Sequence, residues 1–165
     1  MTLACACSCA WNSRTFRRFE FPEDPATFAV ENQYMVGSGL LVVPVLAQGV
    51  TSVEAYFAGS QPWYDVFTGL KQEGGGLKTV SAPLRKVPVF QRGGTVLPRK
   101  MRARRTSSLM VADPFTFDVA LDREYFATGS LFIDDYHTFA YRNEDKFLRA
   151  SMTFAKTGNG QYTFR

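Results

Sequence analysis

Val87-Pro88-Val89-Phe90-Gln91-Arg92-Gly93-Gly94-Thr95-Val96-Leu97-Pro98 decides the fold. Its two arms are apolar and rich in β-branched residues, the composition of short strands. The Gly93-Gly94 pair between them reads as a tight turn that needs positive φ. A phosphate cradle would need a longer glycine loop, a Lys with Ser or Thr, and a following helix, and none is present. Outward from this hairpin the same strand-and-turn rhythm recurs. Leu40-Leu41-Val42-Val43-Pro44-Val45 is a continuous apolar run that reads as a strand buried on both faces, with Pro44 marking an edge or a bend. Val53, Ala55 and Phe57 alternate with Glu54 and Tyr56, as in a half-buried strand. Trp63-Tyr64-Asp65-Val66-Phe67-Thr68 reads as an aromatic strand, Gly74-Gly75-Gly76 as a loop, and 77–82 as another strand. Further on, 115–121, 130–134, 138–141 and 147–154 carry strand patterns, and 161–165 begins one more. Only 26–36 leaves room for one or two helical turns. Strands of this length at this spacing predict an all-β fold, as sandwich or barrel.

Composition agrees. The chain has 165 residues, 45% of them hydrophobic, 15% aromatic and 21% charged, with thirteen Gly and eight Pro. That is enough to bury a core in one domain or two small ones. No apolar run reaches the roughly 18 residues of a membrane-crossing helix, so no membrane partner is expected. The single His137 excludes a multi-histidine metal site. The net charge of +4 is concentrated in the stripe 99–105, which holds Arg99, Lys100, Arg102, Arg104 and Arg105. It reads as an exposed basic linker between two β modules, with a phosphate-rich or acidic partner as the alternative. No aromatic lies inside the stripe to stack on bases, which makes a nucleic-acid partner a weak reading. Cys5, Cys7 and Cys9 are the only cysteines. No disulfide can therefore staple the body, and three thiols without a nearby His make a poor zinc site. Residues 1–10 resemble the apolar part of a signal peptide but lack its basic start.

Two candidates for chemistry remain. Asp134-Asp135, beside His137, could be an acid–base or metal group. Asp also favours turns, and neighbours on a strand face opposite ways, so the pair reads better as a turn. Trp63 and Tyr64, if exposed, could hold sugar rings, giving a carbohydrate-binding module. No Gly-x-Ser-x-Gly elbow and no plausible Cys–His pair occurs.

Taken in order, Tyr34-Met35-Val36-Gly37-Ser38-Gly39-Leu40-Leu41-Val42-Val43-Pro44-Val45, the Val87–Pro98 hairpin and Leu131-Phe132-Ile133-Asp134-Asp135-Tyr136-His137-Thr138-Phe139 resemble the region after the catalytic barrel of family 31 glycoside hydrolases. Trp63-Tyr64-Asp65 fits between the first two, and the resemblance runs over about residues 19–165. The forms are most similar to the neutral α-glucosidase and glucosidase II branch, whose complete members trim glucose from glycans in the endoplasmic reticulum.

The resemblance implies a divergent start with a barrel remnant (1–30), a proximal β module (31–98), the basic linker (99–105) and a truncated distal β module (106–165). Both modules are expected to be small β-sandwiches. Glu20-Phe21-Pro22 would be what survives of the strand that closes the barrel. Tyr136 stands where the family usually has Gly, so that turn is expected to differ. The family's Trp-x-Asp-Met-Asn-Glu nucleophile segment and its Thr-Gly-Asp acid/base segment match nothing here. A retaining glycosidase needs two carboxyls about 5–5.5 Å apart, supplied in this family by the barrel. The resemblance therefore implies no catalytic, cofactor-binding or metal-binding residue in this chain. It implies a supporting role, with the catalytic barrel as partner, a regulatory beta subunit as a second one, and the endoplasmic-reticulum lumen as compartment. The unmatched start and the short final arm read as part of a longer enzyme. A module parted from its barrel is expected to expose apolar surface.

Overall fold

The structure is a computed structural model that describes residues 20–157 and 161–164. Cys5, Cys7 and Cys9, the signal-like start and most of the expected barrel remnant lie outside the described residues. The described chain divides into two compact units: residues 20–95 with 120–124, and residues 96–119 with 125–157 and 161–164. Nearly all regular structure is strand. Among the described residues no helix is long and apolar enough to cross a membrane.

The first unit is a two-layer β structure. One layer is a sheet of β1 (Tyr34–Val36), β2 (Leu40–Val42), β4 (Trp63–Asp65), β5 (Lys71–Gln72) and β7 (Val89–Arg92), in the order β1-β2-β7-β4-β5. The other is the antiparallel ribbon of β3 (Ser52–Phe57) and β6 (Gly76–Ser81). Both layers turn their large apolar side chains inward. Met35, Leu41, Phe57 and Trp63 are fully buried, and the Phe57 ring of the ribbon meets Phe90 of the sheet edge-on at 4.9 Å between centroids. Each such side chain contributes roughly 1.5–3 kcal/mol by leaving water.

Several expectations change here. Glu20-Phe21-Pro22 forms no strand; two prolines remove donors and turn the chain. Asp24 then caps a 3₁₀ turn, Pro25–Ala29, accepting from the Ala26 amide at 3.1 Å. Phe21 points into the core, 6.3 Å from the Trp63 ring. The expected helical turns over 26–36 shrink to that 3₁₀ turn, because 34–36 is claimed by β1. β2 lies between β1 and β7, so it is no edge; Pro44 falls beyond its end. The aromatic strand at 63–68 stops at Asp65, whose carboxylate accepts from the Phe67 and Thr68 amides and turns the chain.

The second unit is one sheet, β12-β11-β10-β8-β9. Its strands are β8 (Thr95–Arg99, which starts in the first unit), β9 (Thr116–Ala120), β10 (Phe126–Ile133), β11 (Leu148–Lys156) and β12 (Tyr162–Phe164). β10 and β11 pair antiparallel along the whole of β10. Gly129 has to be glycine: a Cβ there would stand 2.3 Å from the Val96 carbonyl oxygen of β8. Although β9 and β12 are opposite edges of the sheet, Phe117 and Phe164 approach to 5.9 Å between ring centroids. The sheet therefore curls until its two borders touch through aromatic side chains. The strand expected at 138–141 is absent; one α-helical turn, Ala140–Asn143, takes its place.

Candidate functional site

The acidic pair lies in the turn that follows β10. The Asp134 carboxylate accepts from the Tyr136 amide at 3.0 Å. Asp135 accepts from the amides of His137 and Thr138 at 3.2 and 3.0 Å, and from the Thr138 hydroxyl. The Thr138 hydroxyl, helped by those amides, holds the Asp135 carboxyl down at about 2. A carboxylate fixed in its charged form by its own turn is a poor proton donor at neutral pH. Tyr136 adopts φ +58°, the left-handed region that glycine favours. A bulky residue thus holds a strained conformation here. Among the described residues no three of His, Cys, Asp and Glu gather as metal ligands would.

Trp63 and Tyr64 are not a sugar platform. The Trp63 ring is fully buried between Phe21 and Phe57, and its indole N–H donates to the Ala58 carbonyl at 3.2 Å. Tyr64 is half-buried and donates its hydroxyl to the Leu121 carbonyl at 2.8 Å. Asp65, next in line, forms an ion pair with Lys86 at 2.7 Å. Partial burial pushes its carboxyl up, but Lys86 and the two turn amides outweigh that and leave it below the ordinary value.

The Gly93-Gly94 turn is a structural junction. The Gly93 amide donates to the Pro62 carbonyl at 2.7 Å and the Gly94 amide to Ala120 at 2.8 Å. A Cβ on Gly93 would lie 2.8 Å from the Leu121 oxygen and 2.9 Å from the Pro62 oxygen, so the backbones meet too closely for any side chain. Sequence reasoning missed Gln33. Its buried amide donates to the Tyr56 carbonyl and accepts from the Tyr56 amide, both at 2.9 Å, and so mimics another strand along β3. A lone Gln between Asn32 and Tyr34 carries no periodic signal that could have revealed this.

The stripe 99–105 is exposed over 101–105 but begins with two buried cations. Arg99 is buried and paired with Asp118 across β8 and β9. Lys100 is buried too, donating to the carbonyls of Met110 and Val111 at 2.6 and 2.9 Å, with its ammonium 4.5 Å from the Phe115 ring centre. Arg104 grips Asp113 with two hydrogen bonds, at 2.9 and 2.7 Å, and Arg102 lies 3.6 Å from the same carboxylate. Arg104 holds the Asp113 carboxyl below its usual value. This internal pairing leaves much less positive charge for a phosphate backbone or an acidic partner than the count of residues suggests.

What the first unit does offer outward is apolar. The connections 43–51 and 82–88 are joined by hydrogen bonds from Val43 N to Pro88 O and from Ala82 N to Thr51 O. Val45, Leu46, Val50, Leu84 and Val87 on these two connections are exposed, with Leu84 wholly in solvent.

Residues 17–97 match the model of the glycosyl hydrolase family 31 C-terminal domain. Relatives and solved structures extend the likeness beyond that span. Mouse neutral alpha-glucosidase AB is 42% identical over 137 residues, which are 82% of this chain and 14% of the relative. The chain belongs to the C-terminal region of glycosyl hydrolase family 31. An Arabidopsis thaliana protein named probable glucan 1,3-alpha-glucosidase is also 42% identical, over 83% of this chain and 15% of its own length. A solved heterodimeric ER glucosidase II, comprising the catalytic subunit and the binding domain of the regulatory subunit, superposes with TM-score 0.82. Its identity to this chain is 29%, over 90% of this chain and 17% of that one. This family 31 chain thus spans about one seventh of the length of the curated relatives named here.

Proposed function

We propose that this chain is the supporting, non-catalytic β portion of a family 31 α-glucosidase. In this reading the proximal module (31–98) braces the catalytic barrel, and the distal module (106–165) completes the C-terminal region. Hydrolysis of O-glycosyl bonds, with trimming of glucose from glycans, belongs to the complete enzyme. The carrying observation is the exposed apolar group on the two hydrogen-bonded connections of the first unit: Val45, Leu46, Val50, Leu84 and Val87. Several large apolar side chains exposed on paired connections suit an interaction site. The carboxylates support the same reading. Asp65, Asp113 and Asp135 are each committed to a neighbouring cation or to turn amides, which leaves them no freedom for acid–base work.

No residue of the chain is assigned a catalytic, cofactor-binding or metal-binding role in this reading. The partner is the barrel of the complete enzyme. By analogy with the named ER glucosidase II complex, a regulatory subunit is a second partner and the endoplasmic-reticulum lumen the compartment. Two measurements test the proposal. The purified chain should give no turnover of a chromogenic α-glucoside above background, and measurable hydrolysis would overturn the non-catalytic reading. It should also light up a hydrophobic dye, and Leu46→Asp with Leu84→Asp should weaken that signal. A chain that ignores the dye before substitution would sink the bracing surface.

A further inference from the structure

We infer that residues 102–106 form a latched processing site, in which Arg105–Thr106 is the bond cut by a serine endoprotease with carboxylate-lined subsites. Proteases of that chemistry take arginine at the first, second and fourth positions before the cut. Arg105, Arg104 and Arg102 occupy those positions in Arg102-Ala103-Arg104-Arg105-Thr106. The segment is presented as a substrate needs to be. Every residue from 101 to 109 is exposed, and 100–106 contains neither helix nor strand.

The ends of the segment are anchored by burial, whereas its middle is held only through arginine side chains. Lys100 and Met110 are buried, and the Lys100 ammonium donates to the Met110 carbonyl at 2.6 Å, closing the loop at its base. The irregular stretch 100–106 precedes a 3₁₀ turn, Ser107–Met110, and at about 3.3 Å per extended residue it can span roughly 20 Å, so it can be drawn toward a protease cleft without disturbing the sheet. A cut consumes one water across the amide: the Arg105 carbonyl carbon takes the hydroxyl and becomes a carboxylate, and the Thr106 nitrogen takes the protons and becomes an ammonium.

The latch is Asp113. It holds Arg104 through two hydrogen bonds and draws Arg102 to 3.6 Å, so two of the three recognised guanidinium groups are engaged inside the molecule. A protease must take both from that carboxylate before it can bind them. Cutting would nick the chain without separating its halves. β8, before the nick, lies between β9 and β10, which come after it. The inference uses only this loop and does not depend on the proposed role beside a catalytic barrel.

The test incubates the full chain with a purified subtilisin-like convertase selective for Arg-x-Arg-Arg. Products are mapped by mass under denaturing conditions and sized again under native ones. We expect a single cut after Arg105, two fragments that stay together natively, and no cut in Arg105→Ala. Asp113→Asn should be cut roughly two- to fivefold faster, the factor that loss of an ion pair with an exposed arginine supplies. Asp113→Ser, which also removes the carboxylate and leaves the three recognised arginines intact, should accelerate cutting in the same direction and covers the case in which Asp113→Asn fails to fold. An uncut wild-type chain, a cut at another bond, or cutting of Arg105→Ala overturns the site. Cutting of a folded Asp113→Asn or Asp113→Ser at the wild-type rate overturns the latch.

Discussion

Replacing Trp63 by Ala tests the centre of the first unit. The indole is fully buried, touches Phe21 and Phe57, and donates to the Ala58 carbonyl. Its removal takes away a large apolar side chain, leaves a cavity and strands the Ala58 oxygen. Truncations of this kind cost about 3–5 kcal/mol. Whole-domain stabilities are only about 5–15 kcal/mol, so this one change removes a large fraction of the total. Trp63→Phe separates the contributions: it keeps a ring against Phe57 and loses chiefly the hydrogen bond and some volume, so it should cost less than half as much. The assay is urea unfolding followed by far-ultraviolet circular dichroism. With a slope near 2 kcal/mol per molar, the Ala variant should shift the midpoint down by about 1.5–2.5 M. A shift below about 0.5 M, or an equal shift for Phe and Ala, would show that the indole does not carry the core. The buried ring also predicts that maltose at millimolar concentration leaves the fluorescence of Trp63 unchanged.

Four further outcomes follow from individual contacts. Gly93→Ala and Gly129→Ala each push a methyl into backbone oxygens, and each should cost about 1–3 kcal/mol, read as a lowered melting temperature. Gln33→Ala strips both hydrogen bonds from Tyr56 and should cost about 1–3 kcal/mol, with faster hydrogen exchange at the Tyr56 amide. Tyr136→Gly relieves a left-handed backbone and should stabilise the second unit by up to about 1 kcal/mol; a destabilised variant would show that the Tyr136 ring outweighs its strain. The carboxyls of Asp65, Asp113 and Asp135 all sit below their ordinary values in the folded chain. Their stabilisation is therefore present above the unfolded value of 3.8 and fades as pH falls below it, for Asp135 down to about 2. Stability measured from pH 6 downward should hold to near pH 4 and then decline, and Asp135→Asn should flatten part of that decline.

The strands were legible where one face is buried and the other wet. Residues 53–57 show this, because Ala55 and Phe57 must turn inward while Glu54 stays out. Residues 138–141 misled for a physical reason: Thr, Phe and Tyr favour strands, but the Asp135 carboxylate captures the amides ahead of them and closes a turn first. The basic stripe misled because counting cations along the chain ignores where the anions fold back. Asp118 lies 19 residues beyond Arg99 and Asp113 9 beyond Arg104, yet each folds back onto that arginine. The chemistry of Trp63-Tyr64-Asp65 was ambiguous at the level of residue type, since an aromatic pair serves a core and a ligand equally well. Only burial decides, and burial is a property of the whole sheet. Gln33 lay beyond reach altogether, because a side chain that imitates backbone leaves no pattern in its neighbours.

The meeting of Phe117 with Phe164 bears on how open the sheet is to lateral addition of another strand. An open five-stranded sheet offers two lateral templates onto which another copy can add. Here the ribbon of strands bends round so that each flank is sheltered by rings from the other. The short C-terminal strand works as a stopper: shear it away and the Phe117 flank and the newly bared β11 would both become docking rails for like molecules. Fibril growth in a chain shortened before residue 161, against a clear solution of the intact one, is the behaviour this geometry demands.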